Sequence, residues 1–231
     1  MEQKSVLLMV RIGDVPKEME GEWNLWYDTT HIPNRLGKPG FLSASRFLAL
    51  WGEYRYLTIY DLASIDALTS EPYLNLRDWE ASLPSDSFEA QTLKLPNFTR
   101  GLYEPIYCYP AQEQSQRSGT DILFAVGHDV PSNREEEFNA WYNTEHIPAM
   151  VDRVPGFITA RRFRVLATPL SPRAGMQSSS PKYITLYDLK NENVLQSQIF
   201  LRETNSPWSS WVRSWYSRRF RILARRIYAK P

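Results

Sequence analysis

Apolar runs alternate with charged, aromatic-rich stretches along this chain, and the alternation occurs twice. The segments VLLMVRIGDV (6–15) and ILFAVGHDV (122–130) are short, rich in aliphatic and β-branched residues, and predict strands. Behind each lies a charged and then aromatic stretch in which Trp23, Trp26, Tyr27 and Thr30 recur at helical spacing, with Pro16 or Pro131 suited to the first turn. That helix is expected to end near His31 or His146, because Pro33 and Pro148 disfavour α geometry in the residue before them. Pro-Gly-Phe then opens a second strand (from 39 and 155), and YLTIYDL (56–62) and YITLYDL (183–189) form a third. Less regular helical stretches follow at 64–82 and 191–215, and fourth strands at 99–109 and 220–229. Each half therefore reads β-α-β-β-α-β.

The halves also match residue by residue. DVPKEMEGEWNLWYDTTHIP (14–33) and DVPSNREEEFNAWYNTEHIP (129–148) agree at twelve of twenty positions, offset by 115 residues. PGFLSASRF and PGFITARRF repeat next, and the Tyr-Asp-Leu blocks follow in the same order. The expected organisation is a first unit over 1–110, a polar linker over 111–120 and a second unit over 121–231. The order β-α-β-β-α-β is that of the ferredoxin-like unit, whose two helices cover one face of an antiparallel sheet. The other face needs a cover, and the second unit supplies it, so the fold class is α+β, two such repeats packed sheet to sheet in one chain. The polar stretch 168–181 lies between strands two and three of the second unit, where the first has a tight turn at Trp51-Gly52-Glu53, and reads as an inserted loop.

The segments WYDTTHIP and WYNTEHIP, each followed by Pro-Gly-Phe, resemble the dimeric α/β-barrel superfamily, most of all its EthD-like and stress-responsive branches. The resemblance implies a barrel that other proteins assemble from two chains. It also implies a range of activities: cofactor-free cyclases, small-molecule lyases and isomerases, monooxygenases and haem-dependent members. Fold does not choose among them.

Charge narrows the partners. With 27 basic and 26 acidic residues the net charge is +1, which gives no global field for nucleic acid or membrane. The exception is local: from Arg213 onward there are seven basic residues and no acidic one, either a solvated strand edge or an anion-binding wall. No apolar run approaches the ~20 residues of a membrane helix, the amino terminus lacks the pattern of a signal peptide, and the single Cys108 has no internal partner. The expectation is a soluble cytoplasmic protein, a monomer or homodimer of the two-unit chain, with a small-molecule ligand.

Candidate chemistry gathers on the repeated helix. His31 and His146 occupy the same position in the two units and suit either acid-base catalysis or capping of a helix end. Tyr27 and Asp28 share a helical face with His31, as Tyr142 and Asn143 do with His146. Asp28 orients and neutralises an imidazolium where Asn143 only orients, which favours the first unit, with Glu145 in place of Thr30 as a possible substitute in the second. Trp26 and Trp141 are core residues or walls for a flat ligand. Arg46 and Arg162 either pair with Asp61 and Asp188 across strands or, with Tyr60 and Tyr187, bind a substrate carboxylate. His128, which stands where the first unit has Gly13, is expected to be packed. There is no metal-ligand spacing and no phosphate-binding glycine loop, so no metal or other cofactor is expected. The leading reading is a cofactor-independent lyase, isomerase or cyclase acting on a small aromatic or carbonyl-bearing metabolite. The alternatives are a haem enzyme with one of these histidines as axial ligand, and a non-catalytic binding module.

Overall fold

A computed structural model of the protein describes residues 5–95, 98–111, 120–167 and 180–230. Eight antiparallel strands form one closed barrel: β1 (Val6–Ile12), β2 (Phe41–Gly52), β3 (Tyr56–Leu62), β4 (Phe98–Tyr109), β5 (Ile122–Asp129), β6 (Phe157–Leu166), β7 (Tyr183–Leu189) and β8 (Ser217–Lys230). The order around the barrel is β1-β3-β2-β8-β5-β7-β6-β4. The first four strands run β4-β1-β3-β2 and the last four β8-β5-β7-β6, joined by β2 with β8 and β4 with β6. The two sheets thus meet at their edges as well as across the interior, and closure leaves no strand edge unpaired.

Strand geometry explains the uninterrupted apolar runs. Side chains alternate between faces. In β1, Leu7 and Met9 point into the barrel while Val6, Leu8 and Ile12 lie under the helices; in β5, Leu123 and Ala125 point in while Ile122, Phe124 and Val126 face out. Both faces are buried, so neither strand shows polar alternation. The interior core draws on both halves, with Leu7, Phe47 and Tyr103 packed against Phe163, Ile184 and Phe220. Arg11 is buried among them, its guanidinium 4.4 Å from the centre of the Phe220 ring.

The helices lie outside: α1 (Glu20–Trp26), α2 (Ile32–Leu36), α3 (Glu71–Ser82), α4 (Phe88–Leu93), α5 (Glu135–Trp141), α6 (Ile147–Arg153), α7 (Gln198–Glu203) and α8 (Pro207–Arg213). Three expectations change here. The first helix of each half begins after, not at, its proline: α1 starts at Glu20, and α5 follows a short turn over Ser132–Arg134. The second helical stretch is broken in both halves, with α3 and α4 in the first and α7 and α8, separated by the Ser206 cap before Pro207, in the second. Above all, the helix does not stop at the histidines. It widens into a π-turn over Tyr27–His31 and Tyr142–His146 and continues as α2 and α6 through Pro33 and Pro148. In an α-helix each proline would lose a hydrogen bond and crowd the carbonyl one turn back. The π-turn bonds Ile32 N–H to Tyr27 O, and Ile147 N–H to Tyr142 O, which lets the helix pass without that clash. The histidines therefore do not cap helix ends.

The expected linker, apart from its end residues, and nearly all of the inserted loop at 168–181 lie outside the described residues. Among the described residues, no helix is long and apolar enough to cross a membrane.

Candidate functional sites

The π-turns hold their side chains through two buried arginines. Arg46, on β2, is fully buried and donates to Asp28 Oδ1 and, at 2.6 Å, to Asn24 Oδ1, its guanidinium 4.3 Å from the Tyr27 ring centre. Arg162, on β6, does the same at 2.6 Å to Asn143 Oδ1 and 2.8 Å to Asn139 Oδ1, 4.4 Å from the Tyr142 ring centre. Neither pairs with the strand carboxylates: Asp61 accepts from Ser43, and Asp188 from Thr159 and Arg161. Neither lines either of the two cavities below; both anchor helix to barrel. Asp28 likewise spends a carboxylate oxygen on Arg46 and lies outside the wall of the cavity that His31 faces. The expected trio of His31, Tyr27 and Asp28 is thus divided.

The remaining expected residues converge on two cavities. Trp26, Tyr27, His31 and Tyr60 line the first; Trp141, Tyr142, His146 and Tyr187, their counterparts, line the second. The first measures about 70 Å³ and, apart from Arg35, Thr92 and Arg100, is otherwise largely apolar. Arg35 enters it but is neutralised by Glu80 at 2.8 Å and also donates to the His31 carbonyl at 3.1 Å. The His31 ring lies 4.4 Å from that of Tyr27 and 4.7 Å from that of Trp26, ring centre to ring centre.

The second cavity, about 270 Å³, approaches the size at which ligand sites begin, about 300 Å³. His146 stacks on Trp141 at 4.6 Å and meets the Tyr142 ring edge-on at 5.0 Å. Its Nδ1 is buried without a hydrogen-bond partner among the described residues, as is Nδ1 of His128. Burial, then the Arg213 and Arg162 cations, push His146 down to about 3. Burial, then His146 and the arginines, hold His128 well below the usual imidazole range. Both imidazoles are neutral at pH 7. Burial raises the phenols of Tyr142 and Tyr187 well above neutrality, so both remain protonated donors. Arg162, buried against amide oxygens, falls to about 10 and keeps its charge.

Sequence reasoning left out several residues here. His128 is packed as expected, 4.7 Å from the Tyr216 ring, yet it also faces the cavity, and its exchange for Gly13 was the signal. Arg213, Arg218 and Arg221 complete the wall and belong to the basic carboxy-terminal run. Met150 stands where the first unit has Arg35, which enlarges the apolar floor. Among the described residues, no cluster of His, Cys, Asp and Glu could hold a metal ion.

No family model and no curated protein matches the chain. Solved structures do. An anthrone oxidase-like protein superposes with a TM-score of 0.65 at 12% identity, over 99% of this chain and 93% of that one. A candidate monooxygenase from Fusobacterium nucleatum gives 0.57 at 9% identity, over 100% and 95%. A candidate chlorite dismutase gives 0.56 at 9% identity, over 97% and 96%. The closed barrel of this chain shares the fold of these structures.

Proposed function

We propose that the chain is a cofactor-independent enzyme that binds a flat, carbonyl-bearing aromatic metabolite in the second cavity and moves a proton between carbon and His146. One observation carries this reading: a π-turn brings Trp141, Tyr142 and His146 to the wall of a cavity that Tyr187 and His128 complete. As the carbonyl polarises, the negative charge that develops beside His146 offsets the Arg213 and Arg162 cations and raises the proton affinity of the imidazole, which accepts a proton from a C–H beside the carbonyl. The electron pair moves onto the carbonyl oxygen, where a tyrosine O–H stabilises it, and the imidazolium returns the proton to the same or another carbon. That sequence isomerises a substrate; where the enolate carbon instead attacks a second carbonyl of the same molecule, a ring C–C bond forms and the new alkoxide takes the proton. The choice of an aromatic ketone agrees with the anthrone oxidase-like neighbour, since an anthrone is a fused aryl ketone. His31, with Tyr27 and Tyr60, forms the lesser site, because its cavity is far smaller. The paired strand orders support two ferredoxin-like units in tandem, and an EthD-like relationship rests on the two His-Ile-Pro segments.

The competing reading makes His146 the axial ligand of a haem. An axial imidazole is held by an acceptor on its second nitrogen, and His146 Nδ1 has none among the described residues. The residues present do not fit that role.

The test is deuterium exchange of 2-tetralone in D2O, followed by NMR at the carbon between ring and carbonyl. The protein should accelerate exchange, and His146→Ala should cost on the order of a hundredfold, with His31→Ala close to wild type. No acceleration by the wild type, or full activity in His146→Ala, would overturn the proposal.

A further inference from the structure

The two cavities are built from matched residues but differ in charge. In the first half Arg35, which enters the cavity, has Glu80, and Arg46 has Asp28. In the second half Arg162 faces two amide oxygens, and no acidic residue lines the cavity. Three further arginines stand at its wall. Arg213, on α8, donates to the Ser209 carbonyl at 3.1 Å and to Asn205 Oδ1 at 3.0 Å, both uncharged. Arg218, on β8, makes no ion pair or side-chain hydrogen bond among the described residues. Arg221 lies 5.2 Å from the Trp51 ring centre, and the one carboxylate beside it, Glu53, accepts from its backbone N–H at 2.7 Å. Arg213 and Arg218 are exposed and Arg221 half-buried, whereas His128 at the floor is 2% exposed. The result is an apolar, aromatic floor beneath a cationic rim.

We propose that the second cavity takes its aromatic ligand as an anion, a flat ring system bearing a carboxylate, with the ring on Trp141 and the carboxylate among Arg213, Arg218 and Arg221. This rests on the aromatic reading of the same cavity and adds the ligand's charge. A cleft lined by one sign of charge over low-dielectric walls concentrates counter-ions, and the planar guanidinium fork matches a carboxylate in shape. The rim also explains why the basic run ends in a cavity wall: a strand edge guarded by cations needs no such cavity, and β8 has no free edge, being paired to β2 and β5.

The experiment compares 2-naphthoate with its uncharged isostere 2-naphthamide, by calorimetry on the full chain. Naphthoate should bind roughly tenfold more tightly at low salt, and the advantage should shrink as salt is added. The double substitution Arg218→Met and Arg221→Met, which keeps Arg213, should remove most of the preference, while naphthamide still binds, which reports that the cavity is intact. Equal affinity of the two probes, or a preference undiminished by the double substitution, overturns the anion assignment and leaves the aromatic reading standing. Failure of both probes to bind overturns both.

Discussion

The guanidinium of Arg162 lies over the ring of Tyr142, 4.4 Å from its centre, and bonds the amide oxygens of Asn143 and Asn139. Arg46 repeats this over Tyr27, but with Asp28 in place of Asn143. A cation against a carboxylate is held more firmly than one against an amide. Asn143→Asp should therefore raise stability by about 1 kcal/mol, and Asp28→Asn should lower it by a similar amount, damped because Asp28 is partly exposed. Urea unfolding measures both. Changes of the opposite sign would show that the arginines do not act as charged anchors of the π-turns.

Barrel closure gives a second test. Gly52, at the end of β2, has φ +137°, and a Cβ there would sit 2.4 Å from the carbonyl oxygen of Arg221 on β8. Backbone cannot yield as a flexible side chain does. Gly52→Ala should cost about 2 kcal/mol or more, and because Arg221 would be displaced, naphthoate binding should weaken with it. A neutral substitution would contradict the seam as described.

Acid should unfold the protein through its second half. The imidazole of His146 falls from an ordinary 6.5 to about 3 in the folded chain, first through burial and then through Arg213 and Arg162. Between those values the unfolded state binds a proton that the folded state refuses. The contribution of His146 is complete above pH 6.5 and is lost as pH falls toward 3. His128, also depressed and facing His146, Arg162 and Arg218, acts in the same direction, while the Tyr142 phenol stays protonated throughout. His146→Gln should flatten the decline in melting temperature between pH 6.5 and 4. An unchanged pH profile would show that the imidazole titrates near its ordinary value.

Much of this was legible in the sequence because repetition exposes shared constraints. The β-α-β-β-α-β order came from the apolar runs, and Trp26, Tyr27 and His31, with Trp141, Tyr142 and His146, were marked by recurrence before their cavities were known. The π-turn was hidden because Pro33 and Pro148 signal a helix end by local sterics, while the widened turn that accommodates them depends on the surrounding fold. The Arg46 partner of Asp28 was hidden for a related reason. Spacing along a helix tells which residues share a face, but the strand beneath decides the partner, and β2 brings Arg46. Arg213, Arg218 and Arg221 were visible only as a basic run, since strand pairing is what turns such a run toward a cavity.

The chain has three histidines, so selective ¹⁵N labelling yields one resolvable imidazole each for His31, His128 and His146. NMR of that sample at pH 7, titrated with 2-tetralone, tests the central claim most directly. His128 and His146 should both give neutral-imidazole signals, and both should shift together and saturably as the ketone fills the second cavity, with His31 moving less. A titration in which His146 stays fixed while the ketone binds elsewhere, or in which none of the three responds, would contradict the assignment of the second cavity as the working site.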